Sequence, residues 1–263
     1  MDRKISFLSL NIGNPSLDRA KKQCEWLDKR SEDVFILTET KNSQGCSYIE
    51  DFFLQYGYDL FSMNSSLEFS LSFPKSKTGD LGVMIVSKHK IVKSMNFFKE
   101  DSIFYSRQLE TIIDIDNLQI SVVGLYVPSR DRSDEKILRK KSFIDSIEKF
   151  ITESGDLSRV IMGDFNILDR NHIPHYSTFF DWEYSFYDKI IYEGYIDAYK
   201  YCNHEKQEYS WVGRTNDGYR YDYAFASADL RDSISGCKYI HDTRKNGLTD
   251  HSAIVLELEI KTF

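Results

Sequence analysis

Six apolar, strand-like segments of this sequence each run into a polar side chain at one end. The clearest is VIMGDFNIL, residues 160–168, where an acid and an amide two positions apart, Asp164 and Asn166, break an otherwise apolar run. A carboxylate at the end of a buried strand costs on the order of several kcal/mol unless something cationic neutralises it. Such a strand either ends in a solvated turn or delivers its carboxylate to a site. In an extended chain alternate residues share a face, so Asp164 and Asn166 point one way and Phe165 the other.

The remaining segments set the architecture. Residues 4–12 and 33–40 read as short buried strands, with a helix between them over 16–30. Leu17, Ala20, Cys24 and Leu27 fall on one face of that helix, and Ser16 is a plausible cap. Residues 47–57 read as a helix closed by Gly57. The Ser- and Lys-rich stretch 62–80, with Pro74, reads as a long surface loop. Strands follow at 81–88, 91–98, 109–116 and 118–127, the last two joined by a hairpin turn. Residues 134–154 form a long amphipathic helix, with Ile137, Phe143, Ile144, Ile147, Phe150 and Ile151 on one face. After the strand at 159–167, residues 177–194 read as helical, and strands at 208–213, 219–227, 233–241 and 251–260 close the chain. No repeat and no low-complexity linker interrupts this order. The simplest packing is two mixed β-sheets face to face with helices outside, in one α/β domain over residues 1–263.

The 263 residues suffice for a full core without staples. Four scattered cysteines with no CxxC pair suggest neither a zinc site nor a redox motif, and free thiols in a reducing cytoplasm are expected. The N-terminal apolar run is too short for a signal peptide, and no stretch is long enough for a membrane span. A net charge of −7 argues against non-specific coating by nucleic acid. It is compatible with a nuclease, because a carboxylate-lined metal site is itself negative.

The polar features are Asn11, Glu39, Tyr126 followed by Arg130, and Asp164 with Asn166 at strand ends, Asp222 embedded in the strand 219–227, and Asp250 with His251 just before the last strand. Any one of them alone is ordinary turn or cap chemistry. Together they make a reaction set. Glu and Asp oxygens with an Asn carbonyl suit Mg²⁺ or Mn²⁺ rather than zinc. His251, with Asp222 as an orienting partner, suits proton transfer or charge stabilisation. Asn and Tyr donors suit the charge that develops on a phosphorane. The set reads as metal-assisted attack of water on a phosphodiester.

The segments LNIGN, LTETK, GLYVPSRD, GDFNI, YRYDYAFAS and LTDHSAI occur in an order that resembles the endonuclease/exonuclease/phosphatase superfamily. The resemblance spans about residues 5–260, with GDFN and the C-terminal DH as its most specific parts. LTETK is similar to that family's Gln-Glu-Thr-Lys segment, with Thr38 in place of Gln. Tyr126 stands where several branches place a second histidine, so the exonuclease III and apurinic endonuclease branch is the most similar. The resemblance implies a four-layered α/β sandwich with its site at the mouth between two sheets. It implies Glu39 as the main metal ligand, with Asn11 and Asp250 close to the ion. Asp164 would position or deprotonate the attacking water, Asn166 and Tyr126 would hydrogen-bond the phosphate, and His251 paired with Asp222 would stabilise its charge.

Trp211 resembles an aromatic that apurinic endonucleases place beside the abasic pocket; packing within its strand is the other reading. Arg107, Arg130, Trp211 and Arg220 are the candidate substrate contacts, and the basic run Arg130, Arg132, Arg139, Lys140 and Lys141 is either a phosphate grip or a solvated helix face. The expected cofactor is Mg²⁺, with Mn²⁺ able to substitute, and the expected partner is DNA, duplex, damaged or with 3′ ends. A cytoplasmic monomer is expected. A hydrolase of a small-molecule, sugar or lipid phosphate, and a binding module without catalysis, are the alternatives.

Overall fold

The computed structural model describes residues 3–59, 70–153, 155, 157–204 and 206–260. Strand β1 (Arg3–Asn11) leads through helix α1 (Leu17–Leu27) to β2 (Val34–Thr40) and helix α2 (Gln44–Asp59). Strands β3 (Ser70–Ser72), β4 (Gly82–Ser87), β5 (Lys90–Met95), β6 (Gln108–Ile115) and β7 (Leu118–Tyr126) follow. Helix α3 (Asp134–Thr152) crosses to β8 (Arg159–Asp164), and helix α4 (Asp181–Tyr192) to β9 (Ile196–Asp197). A short helix α5 (Ala198–Asn203) and the ribbon of β10 (Trp211–Val212) and β11 (Gly218–Tyr219) precede β12 (Asp222–Ala226). The described chain ends with β13 (Ile234–Ile240), the single-turn helix α6 (Asp242–Lys245) and β14 (Ala253–Ile260).

The strands form two mixed six-stranded sheets, ordered β13-β14-β1-β2-β4-β3 and β5-β6-β7-β8-β12-β9. Side chains alternate between layers with the period of two that a strand imposes. Phe7, Ile36 and Ile85 of the first sheet pack against Val122, Met162 and Ala224 of the second. On the outer face of the first sheet, Leu8, Phe35 and Leu37 meet Ala20, Cys24, Ile49 and Phe53 of α1 and α2. On the outer face of the second, Val123, Ile161 and Phe225 meet Phe143, Ile147, Phe186 and Ile190 of α3 and α4. The result is the four-layered α/β sandwich that the sequence implies. Gly124 lets the two sheets pack closely, since a Cβ there would lie 2.5 Å from Val83 Cγ1.

Several boundaries differ from the sequence reading. Helix α2 begins at Gln44 and runs past Gly57 to Asp59, so Gly57 does not close it. Of the expected loop 62–80, residues 62–69 lie outside the described residues, and Ser70–Ser72 pair with β4 as an edge strand. Helix α4 starts only at Asp181, because the Glu183 carboxylate turns back to accept the N–H of Phe180 at 2.9 Å. The expected strand at 208–213 contracts to the two residues of β10. Among the described residues, no helix is long and apolar enough to cross a membrane.

Candidate active site

Topology gathers the polar strand ends on one rim. Strands β1 and β2 run parallel, as do β7 and β8, so Asn11, Glu39, Tyr126 and Asp164 all lie at C-terminal ends. Strands β12 and β14 run antiparallel to β8 and β1, so their N-terminal ends, with Asp222 and His251, reach the same rim. Register makes this tight: Asp164 pairs with Tyr126 on one side and with Asp222 on the other. Asn11, Tyr126, Asp164 and Asp222 each continue the inward-facing series of their strand, after Phe7, Val122, Met162 and before Ala224.

Glu39 breaks that alternation. It follows the outward-facing Leu37, which sets it on the helix side of β2. The register of β2 against β4 shifts between Thr38 and Thr40, and Glu39 takes a left-handed φ of 56°. This bulge turns its carboxylate into the mouth, where it meets the second sheet. Gly163 is under similar constraint, with φ 148°, and a Cβ there would sit 1.9 Å from Leu125 O. Asn166 is also left-handed, at φ 49°. Strand β8 therefore ends at Asp164, and Asn166 is not its next same-face residue. A turn brings the two side by side: Asp164 accepts from Asn166 N at 3.0 Å and from Asn166 Nδ2 at 3.1 Å.

Side-chain hydrogen bonds link the two sheets at the mouth. Asp222 Oδ2 lies 2.8 Å from His251 Nδ1. Asn11 Nδ2 lies 2.9 Å from Asp164 Oδ2, 3.0 Å from Glu39 Oε1 and 3.4 Å from His251 Nε2. The Tyr126 hydroxyl donates to Glu39 Oε1 at 2.9 Å. An amide nitrogen carries two protons, and the two carboxylates take both, which leaves His251 Nε2 to carry its own. Burial works against a charged His251 ring, but the Asp222 carboxylate and then Asp164 outweigh it and hold the imidazolium well above the usual histidine range. Burial raises the Asp164 carboxyl; His251 opposes the rise, and the charges of Asp222 and Glu39 add to it. Burial and the adjacent Glu39 and Asp164 charges also keep the Tyr126 hydroxyl protonated, so it remains a donor.

The metal candidates separate. Asn11 Oδ1 accepts the Gly13 N–H at 2.9 Å, so its amide nitrogen, not its carbonyl, faces Glu39. That orientation sets Asn11 between two carboxylates as a donor, contrary to a direct ligand role. Glu39 and Asp250 line one cleft of about 680 Å³. Among the described residues Glu39 Oε2 accepts no hydrogen bond, while Asp250 Oδ2 is oriented by Trp211 Nε1–H at 2.9 Å. Two carboxylates on an open cleft fit Mg²⁺, which keeps several waters and needs only one or two protein ligands. Among the described residues no cluster of three or more His, Cys, Asp or Glu forms a closed metal cage.

Two candidate substrate contacts are committed elsewhere. Arg220 is only 1% exposed and gives both its Asp197 contacts, each 2.6 Å, inside the core. It has no surface to offer a substrate. Arg107 is buried, binds Asp80 at 2.7 and 2.8 Å, and lies 4.6 Å from the Tyr126 ring centroid. It positions Tyr126 rather than facing solvent. Arg130 borders a separate cavity of about 320 Å³ beside Asn166, but its guanidinium is bound to Glu183 and to Thr178 O. Of the basic run, Lys140 is buried against Glu183, Arg139 binds Asp80 and Lys141 pairs with Asp145. Trp211 packs beside Tyr219 and Tyr221, with centroids at 5.4 and 6.0 Å.

Sequence reasoning did not single out Asp80, Glu183 or the positioning use of Lys140. Lys140 donates to the Asn166 carbonyl at 2.5 Å and so holds that left-handed residue from behind. Its position three residues before Phe143 on the apolar face of α3 was the available signal.

The model of the Endonuclease/Exonuclease/phosphatase family matches residues 8–251. The chain belongs to that family. Solved structures share the fold of this family member across nearly its whole length. An AP endonuclease from Archaeoglobus fulgidus superposes with a TM-score of 0.77 at 20% identity, over 96% of this chain and 98% of that one. The 3′ phosphatase NExo from Neisseria, bound to a product DNA hairpin, gives 0.78 at 16% identity, over 97% and 99%. The AP endonuclease LMAP from Leishmania major gives 0.72 at 16%, over 98% and 89%. No curated protein matches this family member in sequence.

Proposed function

We propose that this chain is a Mg²⁺-dependent phosphodiesterase that hydrolyses DNA, as an apurinic/apyrimidinic endonuclease, a 3′-exonuclease, or both. The observation that carries this reading is the Asp222–His251 pair, whose imidazole Nε2 lies 4.0 Å from Asp164 Oδ2, beside the hydrogen-bonded series Asp164–Asn11–Glu39–Tyr126. Membership of the family and the DNA hairpin held by one structural relative support it.

Glu39 and Asp250 would hold the ion. Bound there, Mg²⁺ supplies neutralisation of charge on the phosphate oxygens. Asp164 holds the attacking water and takes its proton as the water oxygen bonds to phosphorus, and one ester P–O bond breaks, its sugar oxygen leaving as an alkoxide that solvent protonates. Its raised carboxyl makes it a competent base near neutral pH. The Nε2–H of His251, kept charged by Asp222, donates to the phosphate oxygen on which charge accumulates. Asn166 Nδ2 and the Tyr126 hydroxyl steady the same group. Asn11 keeps the two carboxylates apart and aimed.

The test is incubation with abasic duplex, nicked duplex and single-stranded DNA, with Mg²⁺, with Mn²⁺ and with EDTA. Metal-dependent cleavage of at least one substrate is expected. No cleavage of any of them with either metal overturns the reading.

A further inference from the structure

The guanidinium groups around the mouth fall into two sets. Arg107 and Arg139 bind Asp80, Arg130 binds Glu183, and Arg220 binds Asp197. Arg19 and Arg244 differ: among the described residues neither has a carboxylate within ion-pair distance. Arg244 Nε reaches only Ser252 Oγ, at 3.3 Å, and Arg19 donates to the Gly13 carbonyl. Arg19 Nε is buried with no hydrogen-bond partner among the described residues. Both side chains line the cleft that also holds Glu39 and Asp250. Burial lowers the proton affinity of Arg244 and no acid offsets it. Half-buried cations kept unpaired, in the same cleft as two carboxylates they do not contact, are stabilised only when an anion arrives.

We infer that Arg244, with Arg19 in the same cleft, binds a second phosphate of the substrate, the one adjacent to the bond that is cut. This rests on the phosphodiesterase reading and deepens it: the site holds its strand through a second phosphate, which a molecule with one phosphate does not offer. A guanidinium presents a planar fork of donors that matches two phosphate oxygens at once. In the other cavity the buried cations Arg130 and Lys140 share Glu183, and Arg132 at its rim is exposed rather than half-buried. That cavity is walled instead by Phe179, Tyr219 and Tyr221. The strand is thus gripped by charge on the metal-carboxylate side of the mouth and by aromatic faces beyond Asn166.

The experiment uses the full chain with two substrates, a fluorescein-labelled oligonucleotide and bis(p-nitrophenyl) phosphate, which has a single phosphate. Oligonucleotide binding is also read by anisotropy in Ca²⁺ across a salt series. Arg244→Gln is expected to weaken binding about tenfold and to reduce the slope of log Kd against log salt by about 1. Its kcat/KM falls at least five times more on the oligonucleotide than on the one-phosphate diester, by about that same tenfold change. Arg244→Lys restores the salt slope. Unchanged oligonucleotide affinity and slope in a folded Arg244→Gln variant overturn the inference, as does an equal loss on both substrates. Tighter Mg²⁺ binding with unchanged oligonucleotide affinity also overturns it, because Arg244 then only balances the carboxylates. If Arg244→Gln fails to fold, Arg19→Gln carries the same readouts. If the wild type hydrolyses neither substrate, the phosphodiesterase reading falls, and the anisotropy series still decides the phosphate subsite.

Discussion

Asp222 Oδ2 lies 2.8 Å from His251 Nδ1, at the rim where β12 begins and the chain enters β14. A carboxylate only accepts, so this contact fixes a proton on Nδ1 and turns Nε2 toward Asn11 and Asp164. Asp222→Asn replaces an acceptor with a group that can donate, which allows the wrong ring tautomer and removes the charge that sustains the imidazolium. We predict a loss of kcat of about a hundredfold or more, in the range that loss of a positioned acid–base group produces. KM should change little. Steady-state kinetics on whichever DNA substrate is cleaved, with circular dichroism to verify folding, check this. A kcat within threefold of wild type would show that the pair is structural only.

Metal dependence has a readout that does not need turnover. A ligand that binds only the folded state stabilises it, by about 2.7 kcal/mol at a hundredfold excess over Kd. Titrating Mg²⁺ into the EDTA-treated protein should raise the melting temperature, and Glu39→Gln should abolish most of the rise. Asn11→Ala tests the donor role of that amide. It removes the two N–H donors that Asp164 and Glu39 each accept from, so turnover should fall while a Mg²⁺-induced shift persists. Loss of the whole shift in Asn11→Ala would restore a direct ligand role for it.

The sequence carried the fold and the inward-facing site residues because both follow from a period of two. Asn11, Tyr126, Asp164 and Asp222 extend their strands' apolar series by one more inward position, so the pattern that finds the core also finds them. Glu39 was visible as an acid at a strand end and through its resemblance to a family motif, but it has the wrong parity for the site, and the bulge that re-aims it is invisible to periodicity. Arg107 and Arg220 were misjudged for a related reason, and Arg130, though it borders a cavity, is likewise held by an acid. An arginine next to a motif looks free in a sequence, because its partners Asp80, Glu183 and Asp197 lie 27, 53 and 23 residues away. Long-range ion pairs leave no local trace.

Gly163 should be intolerant of any side chain. Its φ of 148° disfavours a Cβ, and that Cβ would meet Leu125 O at 1.9 Å, backbone that cannot swing aside. Backbone strain and overpacking together place Gly163→Ala at about 3 kcal/mol of destabilisation. The shift would also displace Asp164 by pushing β8 from β7, so turnover should drop further than stability alone explains. Urea unfolding gives the first quantity and kinetics at saturating Mg²⁺ the second. Wild-type stability in this variant would mean that the strand pair relaxes freely.

Asp80 gives the fold an acid-sensitive clasp. Burial alone would raise its carboxyl, but the Arg107 guanidinium and then Arg139 overcome burial and hold it below the usual 3.8. A carboxylate whose folded pKa is depressed contributes stability that is full above the unfolded value and lost as pH falls through the folded one. The wild type should therefore lose stability on acidification below about pH 4, and Asp80→Asn should show a shallower loss over that window. At neutral pH the variant leaves Arg107, whose side chain is 4% exposed, without its anion. Breaking a buried pair from one side costs about 3–5 kcal/mol, and the partial exposure of Asp80 and Arg139 sets this case at the lower end. Arg107 also stacks on Tyr126, so the same variant should raise the mobility of that ring and lower kcat. Urea titrations from pH 7 down to pH 3 measure the two slopes. Parallel curves for the variant and the wild type would remove Asp80 as the titrating group.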